Sequence, residues 1–129
     1  SAHWEFLLNY SYSHSSVTLY QLGTYIGKDL TGMSLIEVPD HILFGRVQWR
    51  NRFVTTVLGA RYYSAEWVDD ENTVRTDPYY VLDLKLYRTF LQRATVSLTI
   101  QNLLNNRFTD SKGMLNPGIF CLLDCSVRI

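Results

Sequence analysis

Three histidines and two cysteines are the side chains of this sequence best suited to bind a metal or act as nucleophiles. His3, His14 and His41 lie far apart and show no metal-ligand spacing such as H-x₃-H. Cys121 and Cys125 are four residues apart, which spans roughly 13 Å in an extended strand, whereas a disulfide needs Cα atoms within about 7 Å. We therefore predict unbridged cysteines that act as small apolar strand residues, and no metal or cofactor site.

The charged residues show no pattern that favours catalysis. Asp83 and Lys85 share one side of an alternating segment, with no His or Ser beside them to form a triad. We interpret them as a charge pair on the polar side of a strand, and Asp124 and Arg128 in the same way. The glycine-containing segment 23–32 lacks the order of a phosphate-binding loop. The sequence therefore predicts that the protein is not an enzyme.

Elements that could position any of these residues are indicated by a period-two alternation of apolar and polar residues. In one segment Val96, Leu98 and Ile100 alternate with Ser97 and Thr99, as expected for a strand with one apolar side. The predicted strands cover residues 4–12, 41–50, 53–65, 80–90, 94–101 and 119–129. No window combines helical spacing of apolar residues with a capping box. We predict an all-β fold, an antiparallel up-and-down meander of about six strands.

Short and long connections alternate along this meander. The short ones lie at residues 50–52 and 91–93, and the long polar ones at residues 13–40, 66–79 and 105–117. Tight turns at one end and long loops at the other are typical of outer-membrane barrels, and strands of roughly 9 to 12 residues suit a tilted bilayer crossing. We therefore expect the meander to be part of a transmembrane β-barrel.

Composition and aromatic placement agree with this expectation. The formal net charge is zero, which gives no electrostatic footprint for nucleic acid. Aromatic residues gather towards the predicted strand ends, as in the girdles that border a bilayer. They are Trp4, Tyr10, Tyr12, Trp49, Trp67, Tyr79, Tyr80, Phe90 and Phe108.

Four motifs, in order along the chain, resemble segments of TonB-dependent outer-membrane receptors. They are Val-Pro-x-His before a strand, Arg-Tyr followed by Asp and Asn, Tyr followed by Asp in an alternating strand, and a segment similar to the family's N-L-F-D-K-R-Y signature. The residues at these motif positions are Pro39, His41, Arg61, Tyr62, Tyr80, Asp83, Asn102, Leu103, Arg107 and Phe108. The chain departs from the family's usual pattern at Ile119, where that family has arginine after glycine, and at Ile129, where it has an aromatic residue.

The resemblance implies that residues 1–129 are the C-terminal barrel strands of such a receptor, with the plug domain and the remaining strands absent. It implies a bacterial outer-membrane location, contact with the lipid bilayer, and uptake of a ferric siderophore, haem, cobalamin or glycan driven by the TonB complex. The long connections would lie outside the cell and make first contacts with substrate. The best local candidates for those contacts are Trp67, Asp69, Asp70 and Glu71.

Six strands leave two open edges, which cannot face lipid alone because their backbone groups would be unsatisfied. Three arrangements remain open. The other strands and the plug belong to another chain or a missing part, or several copies pair edge to edge to complete a sheet. In the third, the chain is a small soluble β-barrel that binds an apolar ligand on an inward-facing apolar side.

Overall fold

The computed structural model describes residues 2–19, 28–110 and 112–128, which form one six-stranded antiparallel sheet. The strands are β1 (His3–Tyr12), β2 (His41–Arg50), β3 (Thr55–Tyr63), β4 (Tyr79–Phe90), β5 (Ala94–Gln101) and β6 (Phe120–Val127). They are hydrogen-bonded in sequence order, so the predicted up-and-down meander is confirmed. Among the described residues no helix is long and apolar enough to cross a membrane.

The register of the strands gives the sheet one continuous apolar face. Residues directly opposite each other in antiparallel strands project to the same side, so rows of opposed residues cross the sheet. One such row is Phe6, Val47, Leu58, Leu84, Ile100 and Cys121. We call this side the apolar face. The opposite side, the polar face, carries Arg46, Asp83 and Ser97 in the same strands.

The apolar face is uncovered and the sheet is open. Phe6, Leu8 and Leu123 are 71%, 72% and 72% exposed, and Val81 is the one buried hydrophobic residue among those described. β1 contacts β2 alone and β6 contacts β5 alone, so the two edge strands do not meet. The alternative of a small closed soluble barrel is therefore wrong for this sheet, because its apolar side encloses nothing.

Two predicted strand boundaries are wrong for identifiable reasons. The strand predicted over 53–65 is shorter because the Asn51 carboxamide accepts hydrogen bonds from the backbone N–H groups of Phe53 at 2.7 Å and Val54 at 3.0 Å. The turn therefore extends through Val54. The last strand begins after Ile119, whose N–H donates to the side chain of Asn105 at 3.0 Å instead of to a strand. The predicted strand end at Ile129 lies outside the described residues.

All long connections leave the sheet at one end, as predicted. We call them L1 (13–40), L2 (64–78) and L3 (102–119), and the short turns at the other end T1 (51–54) and T2 (91–93). The loop end and the turn end denote these two ends of the sheet. Residues 20–27 of L1 and residue 111 of L3 lie outside the described residues. In T2, Leu91 and Gln92 both have positive φ, 49° and 58°, which suits a tight hairpin with the right-handed strand twist.

Candidate functional site

The side chain of Asn102 organises the start of L3. Asn102 is 4% exposed, and its carboxamide pairs with the backbone of Asn106 through both of its polar atoms. Oδ1 accepts from Asn106 N at 2.9 Å, and Nδ2 donates to Asn106 O at 2.8 Å. Nδ2 also lies 3.3 Å from the Pro117 carbonyl oxygen. The carboxamide therefore forms the same pair of hydrogen bonds with the Asn106 backbone that a neighbouring β-strand would form. Its contact with Pro117 joins the beginning of L3 to its end.

The backbone conformation explains why asparagines occur in this segment. Asn102 and Asn105 both have φ of 51°, the left-handed region that asparagine tolerates better than most residues. Asn105 lies so close to Gly118 that a Cβ on the glycine would overlap the Asn105 side chain. L3 therefore closes on itself through two asparagines and a glycine that gives them space.

Asp83 connects the base of L3 to strands β3 and β4. Its Oδ1 accepts from Asn102 N at 3.0 Å, and its Oδ2 lies 2.7 Å from Nη2 of Arg61 on the neighbouring strand. The predicted charge pair between Asp83 and Lys85 is wrong, because the carboxylate is oriented towards Arg61 while the Lys85 ammonium lies 6.0 Å from the ring of Tyr87. Leu103 N donates to the carbonyl of Leu82 at 2.7 Å, so L3 is fixed to β4 by its backbone as well.

An aromatic stack crosses from the polar face to L3. The Tyr63 and Tyr79 rings are 4.9 Å apart, and the Tyr79 and Phe108 rings are 3.9 Å apart with an interplanar angle of 8°. Tyr63 and Tyr79 are opposed in β3 and β4 on the polar face. Stacked aromatic pairs contribute more stability than their buried area alone would give. The stack therefore holds the centre of L3 at the loop end of the sheet.

L2 is held together by the carboxylate of Asp69. Its oxygens accept from Thr73 N at 2.9 and 3.1 Å, from Thr73 Oγ1 at 2.7 Å and from Val74 N at 2.7 Å. These hydrogen bonds, led by that of Val74, lower the pKa of Asp69 below its ordinary value, because they favour the charged form. Asp69 is therefore a structural group of L2, and its oxygens are already occupied by donors of the same loop.

L1 and L2 are joined by a third asparagine with positive φ. Asn72, with φ of 53°, accepts from Ser34 N at 2.6 Å and donates to Ser34 O at 3.0 Å. The Lys28 ammonium pairs with Glu71 at 2.7 Å, and Glu37 N donates to Trp67 O at 2.9 Å. The two loops therefore form one joined unit at the loop end.

A cleft of about 590 Å³ opens between L2 and L3. Two guanidinium groups and two aromatic rings line it, those of Arg75, Arg107, Tyr79 and Phe108. Arg75 lies 4.7 Å over the ring of Trp67. Because Tyr79 is on the polar face, the cleft lies on that side of the sheet, and its walls offer charged donors beside flat apolar surface for a ligand.

Carboxylates from all three loops lie near this cleft. Burial raises the pKa of Glu66 above its ordinary value, and the negative charges of Glu37 and Asp110 raise it further. Asp110 itself accepts backbone hydrogen bonds from Lys112 at 3.0 Å and Met114 at 2.8 Å. Its carboxylate therefore shapes L3, as that of Asp69 shapes L2.

The structure brings together some of the predicted residues and separates others. Arg61, Asp83, Asn102 and Phe108 meet at the base of L3 on the polar side. His41 lies on the apolar face, where it shares a 2.9 Å hydrogen bond with the Tyr10 hydroxyl.

The other predicted residues take separate positions. Tyr62 and Tyr80 are opposite each other on the apolar face. Pro39 is the penultimate residue of L1, and Arg107 lines the cleft. Of the four candidate contact residues, Trp67 lies under Arg75, and Asp69 and Glu71 hold the loops. Asp70 is exposed at the tip of L2.

Sequence reasoning did not identify Asn72, Ser34 and Asn106 as organising residues. The signal was weak, because an asparagine in a loop is common and its partner depends on the path of a second loop. The three asparagines at residues 102, 105 and 106 were a usable hint, since asparagine is enriched at positive φ.

Comparison with known proteins bears on what these strands belong to. Residues 1–103, out of 129, match the family described as "TonB dependent receptor-like, beta-barrel". The chain belongs to the TonB-dependent receptor family. The match includes the motif residues from Pro39 to Leu103 and ends before Arg107 and Phe108, and no curated protein matches the chain.

The solved structures of receptors provide a likeness in fold. The ferric-catecholate import receptor Fiu of Escherichia coli K12 in its closed form aligns with 96% of this chain at a TM-score of 0.74 and 18% identity. This chain spans 18% of the length of that receptor. The open six-stranded sheet therefore has the shape of a portion of a receptor barrel, which accounts for its uncovered apolar face and its unpaired edges.

Proposed function

We propose that this chain forms part of the barrel wall of an outer-membrane receptor that takes up a scarce, bulky nutrient with energy supplied by the TonB complex. The observation that carries the proposal is the family match over residues 1–103, together with the sheet that this sequence forms. A transport role, and no catalytic one, is assigned because the family is one of receptors. The proposed location is the bacterial outer membrane.

The two faces of the sheet support this role physically. The row from Phe6 to Cys121 is apolar throughout and uncovered, which suits contact with lipid tails. The polar face carries Arg46, Arg61 and Asp83, each in an ion pair, which suits a water-containing lumen. If the apolar face contacts lipid and the polar face lines the lumen, these charged side chains stay out of the hydrocarbon.

We propose that residues 1–129 are the C-terminal strands of the receptor, because the Asn102–Phe108 segment is similar to the signature found near the family's C-terminus. The edges of β1 and β6 are open and would pair with the remaining barrel strands. The plug domain would occupy the polar side. In this arrangement L1, L2 and L3 face the outside of the cell and T1 and T2 face the periplasm.

The cleft between L2 and L3 is the proposed place of first contact with substrate on this chain. Its two arginines and its two aspartates, Asp77 and Asp110, lie beside aromatic rings, and such a lining is suited to a flat polar molecule. Asp70 is the exposed acidic residue at the tip of L2, while Asp69, Glu71 and Asn72 set the shape that presents it. A ferric siderophore is one substrate class with such chemistry, and haem, cobalamin and glycans are the others to be compared.

Uptake of radiolabelled probes, each carrying its own label, by cells that express the complete receptor tests the proposal. Cells are supplied with ferric catecholate, haem, cobalamin or a glycan as separate probes, with and without a proton uncoupler. We expect uncoupler-sensitive uptake of one probe, reduced several-fold by Arg75→Gln and Arg107→Gln together. The matched control is Lys112→Gln, an exposed L3 cation outside the cleft lining.

Two results would contradict parts of this proposal separately. Uptake that is insensitive to the uncoupler for every probe would contradict active transport. If uptake is uncoupler-sensitive but unchanged in the Arg75/Arg107 double variant, the transport function stands and the proposed role of the cleft in substrate contact is contradicted. Purification of the chain as a stable particle of several identical copies would favour edge pairing between copies over a single receptor barrel.

A further inference from the structure

Arginines are concentrated at the turn end of the sheet, although the net charge of the chain is zero. Five arginines border T1, T2 and the end of β6, and all five are exposed. They are Arg50, Arg52, Arg88, Arg93 and Arg128. We call this set the arginine rim.

Acidic residues are concentrated at the opposite end. Of the twelve Asp and Glu residues of the chain, nine belong to the three long loops. These nine are Asp29, Glu37, Asp40, Glu66, Asp69, Asp70, Glu71, Asp77 and Asp110. T1 and T2 contain no acidic residue, so the chain is polarised from end to end although its net charge is zero.

The acidic residues within the strands do not neutralise the rim. Glu5 pairs with Arg46 at 3.0 Å, and Asp83 pairs with Arg61 at 2.7 Å. Asp124 lies opposite Ser97 on the polar face. Its predicted charge pair with Arg128 is wrong, because the two side chains form no ion pair. Over the described part of the chain, no arginine of the rim has a carboxylate oxygen within 4.0 Å. Within the described residues, the guanidinium groups of the rim are therefore not neutralised by ion pairs.

Two depressions give the rim the form of anion sites. One of about 410 Å³ is lined by Arg50, Arg52 and Arg88 together with Thr55 and Thr89. The other, of about 520 Å³, lies across T2 and is lined by Arg93 and Arg128 together with Thr89, Thr95 and Ser126. The guanidinium forks match the oxygens of a phosphate group. The hydroxyls of Thr89 and Thr95 bond to each other at 3.0 Å on the polar face and are not counted as donors to it.

The surroundings of the rim are those of a membrane interface. Arg88 is opposite Val96 on the apolar face, and its guanidinium lies 4.9 Å over the ring of Phe90. Arg52 lies 4.4 Å over the ring of Phe53, which is 55% exposed. Trp4 and Trp49, stacked 5.7 Å apart, lie at the same end of the apolar face. Arginines among interfacial rings on a lipid-facing surface are placed at the depth of headgroups.

We propose that Arg52 and Arg88 of the arginine rim bind the phosphate groups of anionic phospholipids in the membrane leaflet that borders the turn end. This inference rests on the proposed membrane location, because it requires the apolar face to contact lipid. A lipid fits these two residues better than an acidic protein segment does, because Arg88 projects from the apolar face and Arg52 lies over the exposed ring of Phe53. Arg50 lies on the polar face, opposite Thr55. The rim fixes the depth and tilt of this part of the barrel wall through charge attraction.

The test uses the complete receptor in lipid nanodiscs made of phosphatidylcholine with or without phosphatidylglycerol. Native mass spectrometry counts the lipids retained by the wild type and by an Arg52→Gln/Arg88→Gln double variant. We expect preferential retention of phosphatidylglycerol by the wild type, with a loss of roughly fivefold in preference for each arginine removed. The matched control is Lys28→Gln/Lys112→Gln, which removes two charges at the loop end and is expected to leave the preference unchanged.

Equal retention of the two lipids by the wild type, or an unaltered preference in the arginine variant, would overturn the proposal. Soluble poly-glutamate is included as a second probe. Binding of poly-glutamate that depends on Arg52 and Arg88, without any lipid preference, would assign the rim to an acidic protein segment instead. A receptor that does not enter nanodiscs at all would refute the proposed membrane function itself, and so the two failures are distinguishable.

Discussion

Arg61 and Asp83 form a diagonal ion pair across β3 and β4. The two residues are not opposite each other, since Arg61 faces Val81 and Asp83 faces Gly59, yet Nη2 and Oδ2 are 2.7 Å apart. Because Gly59 has no side chain, the carboxylate takes its charged partner from the diagonal position, which long side chains can reach. Its second oxygen remains for the backbone of Asn102 at 3.0 Å, so one carboxylate joins two strands to a loop.

The two contacts of Asp83 predict unequal effects of mutation. Arg61→Gln removes only an ion pair whose side chains are 44% and 29% exposed, and we expect it to lower the free energy of unfolding by less than about 1 kcal/mol. Asp83→Ala also leaves Asn102 N without its acceptor, and we expect a loss of about 2 kcal/mol. Guanidinium titration of the receptor in phospholipid vesicles measures both. Equal losses would show that the ion pair, and not the loop contact, is the important one.

Removal of the Asn102 carboxamide is expected to be more severe. Asn102→Ala abolishes the paired hydrogen bonds with Asn106 and leaves buried backbone groups unsatisfied, at a cost of about 3 kcal/mol. The same unfolding titration measures the loss, and limited proteolysis of L3 is expected to accelerate in parallel. Asn9→Ala, at an exposed position of β1, is the control. A stable Asn102→Ala variant with normal proteolysis of L3 would contradict the organising role of this side chain.

Asn72→Gly tests the side-chain hydrogen bonds of Asn72, at the junction of L1 and L2, without changing the backbone conformation. Glycine adopts the φ of 53° at Asn72 without strain. The change therefore removes the two side-chain hydrogen bonds to Ser34 and a longer one, of 3.4 Å, to the Asp69 carbonyl. We expect faster amide hydrogen exchange over residues 28–37, with β2 unaffected. Glu37→Gly, at another residue of positive φ, 59°, keeps the backbone bond to Trp67 and is expected to change exchange little. Equal exchange in both variants would mean that Asn72 does not join the loops.

Asp69 is expected to make L2 sensitive to acid. Its pKa is lowered in the folded loop by hydrogen bonds from Val74 and Thr73, so the folded state binds a proton less readily than the unfolded one. The stabilisation is therefore complete above the ordinary pKa of aspartate and is lost as pH falls through the lowered value. Amide exchange of Val74, corrected for intrinsic rates, should report this loss. The Asp69→Asn variant should show no such pH dependence, and an identical profile in it would refute the assignment.

The sheet could be predicted from sequence because its determinants are local. In β5 each of Val96, Leu98 and Ile100 alternates with a polar residue, and this pattern alone defines the strand and its faces. The sorted lengths of the connections likewise follow from counting residues. The predicted strand boundaries were wrong where a side chain bonds to the backbone. The Asn51 carboxamide, for example, extends T1 to Val54.

The loop end could not be predicted because its contacts join distant segments. The pairing of Asn102 with Asn106 requires a backbone path with positive φ at Asn102 and Asn105, and alternation carries no information about it. Asp83 shares a strand face with Lys85, and its pairing with Arg61 instead depends on the register of β3 against β4. The acidic segment was predicted to contact substrate. In the structure, Asp69 and Glu71 of this segment instead hold L1 and L2 in place.

The central claim, that the apolar face contacts lipid and the polar face the lumen, is tested most directly by quenching from lipid. Single cysteines replace Leu98 or Thr99, neighbours on opposite faces of β5, in a Cys121→Ala/Cys125→Ala background, and each carries the same fluorophore. The receptor is then placed in bilayers that contain phospholipid with a spin label on the acyl chain. We predict quenching several-fold stronger at position 98 than at position 99. Equal quenching, or stronger quenching at position 99, would contradict the account.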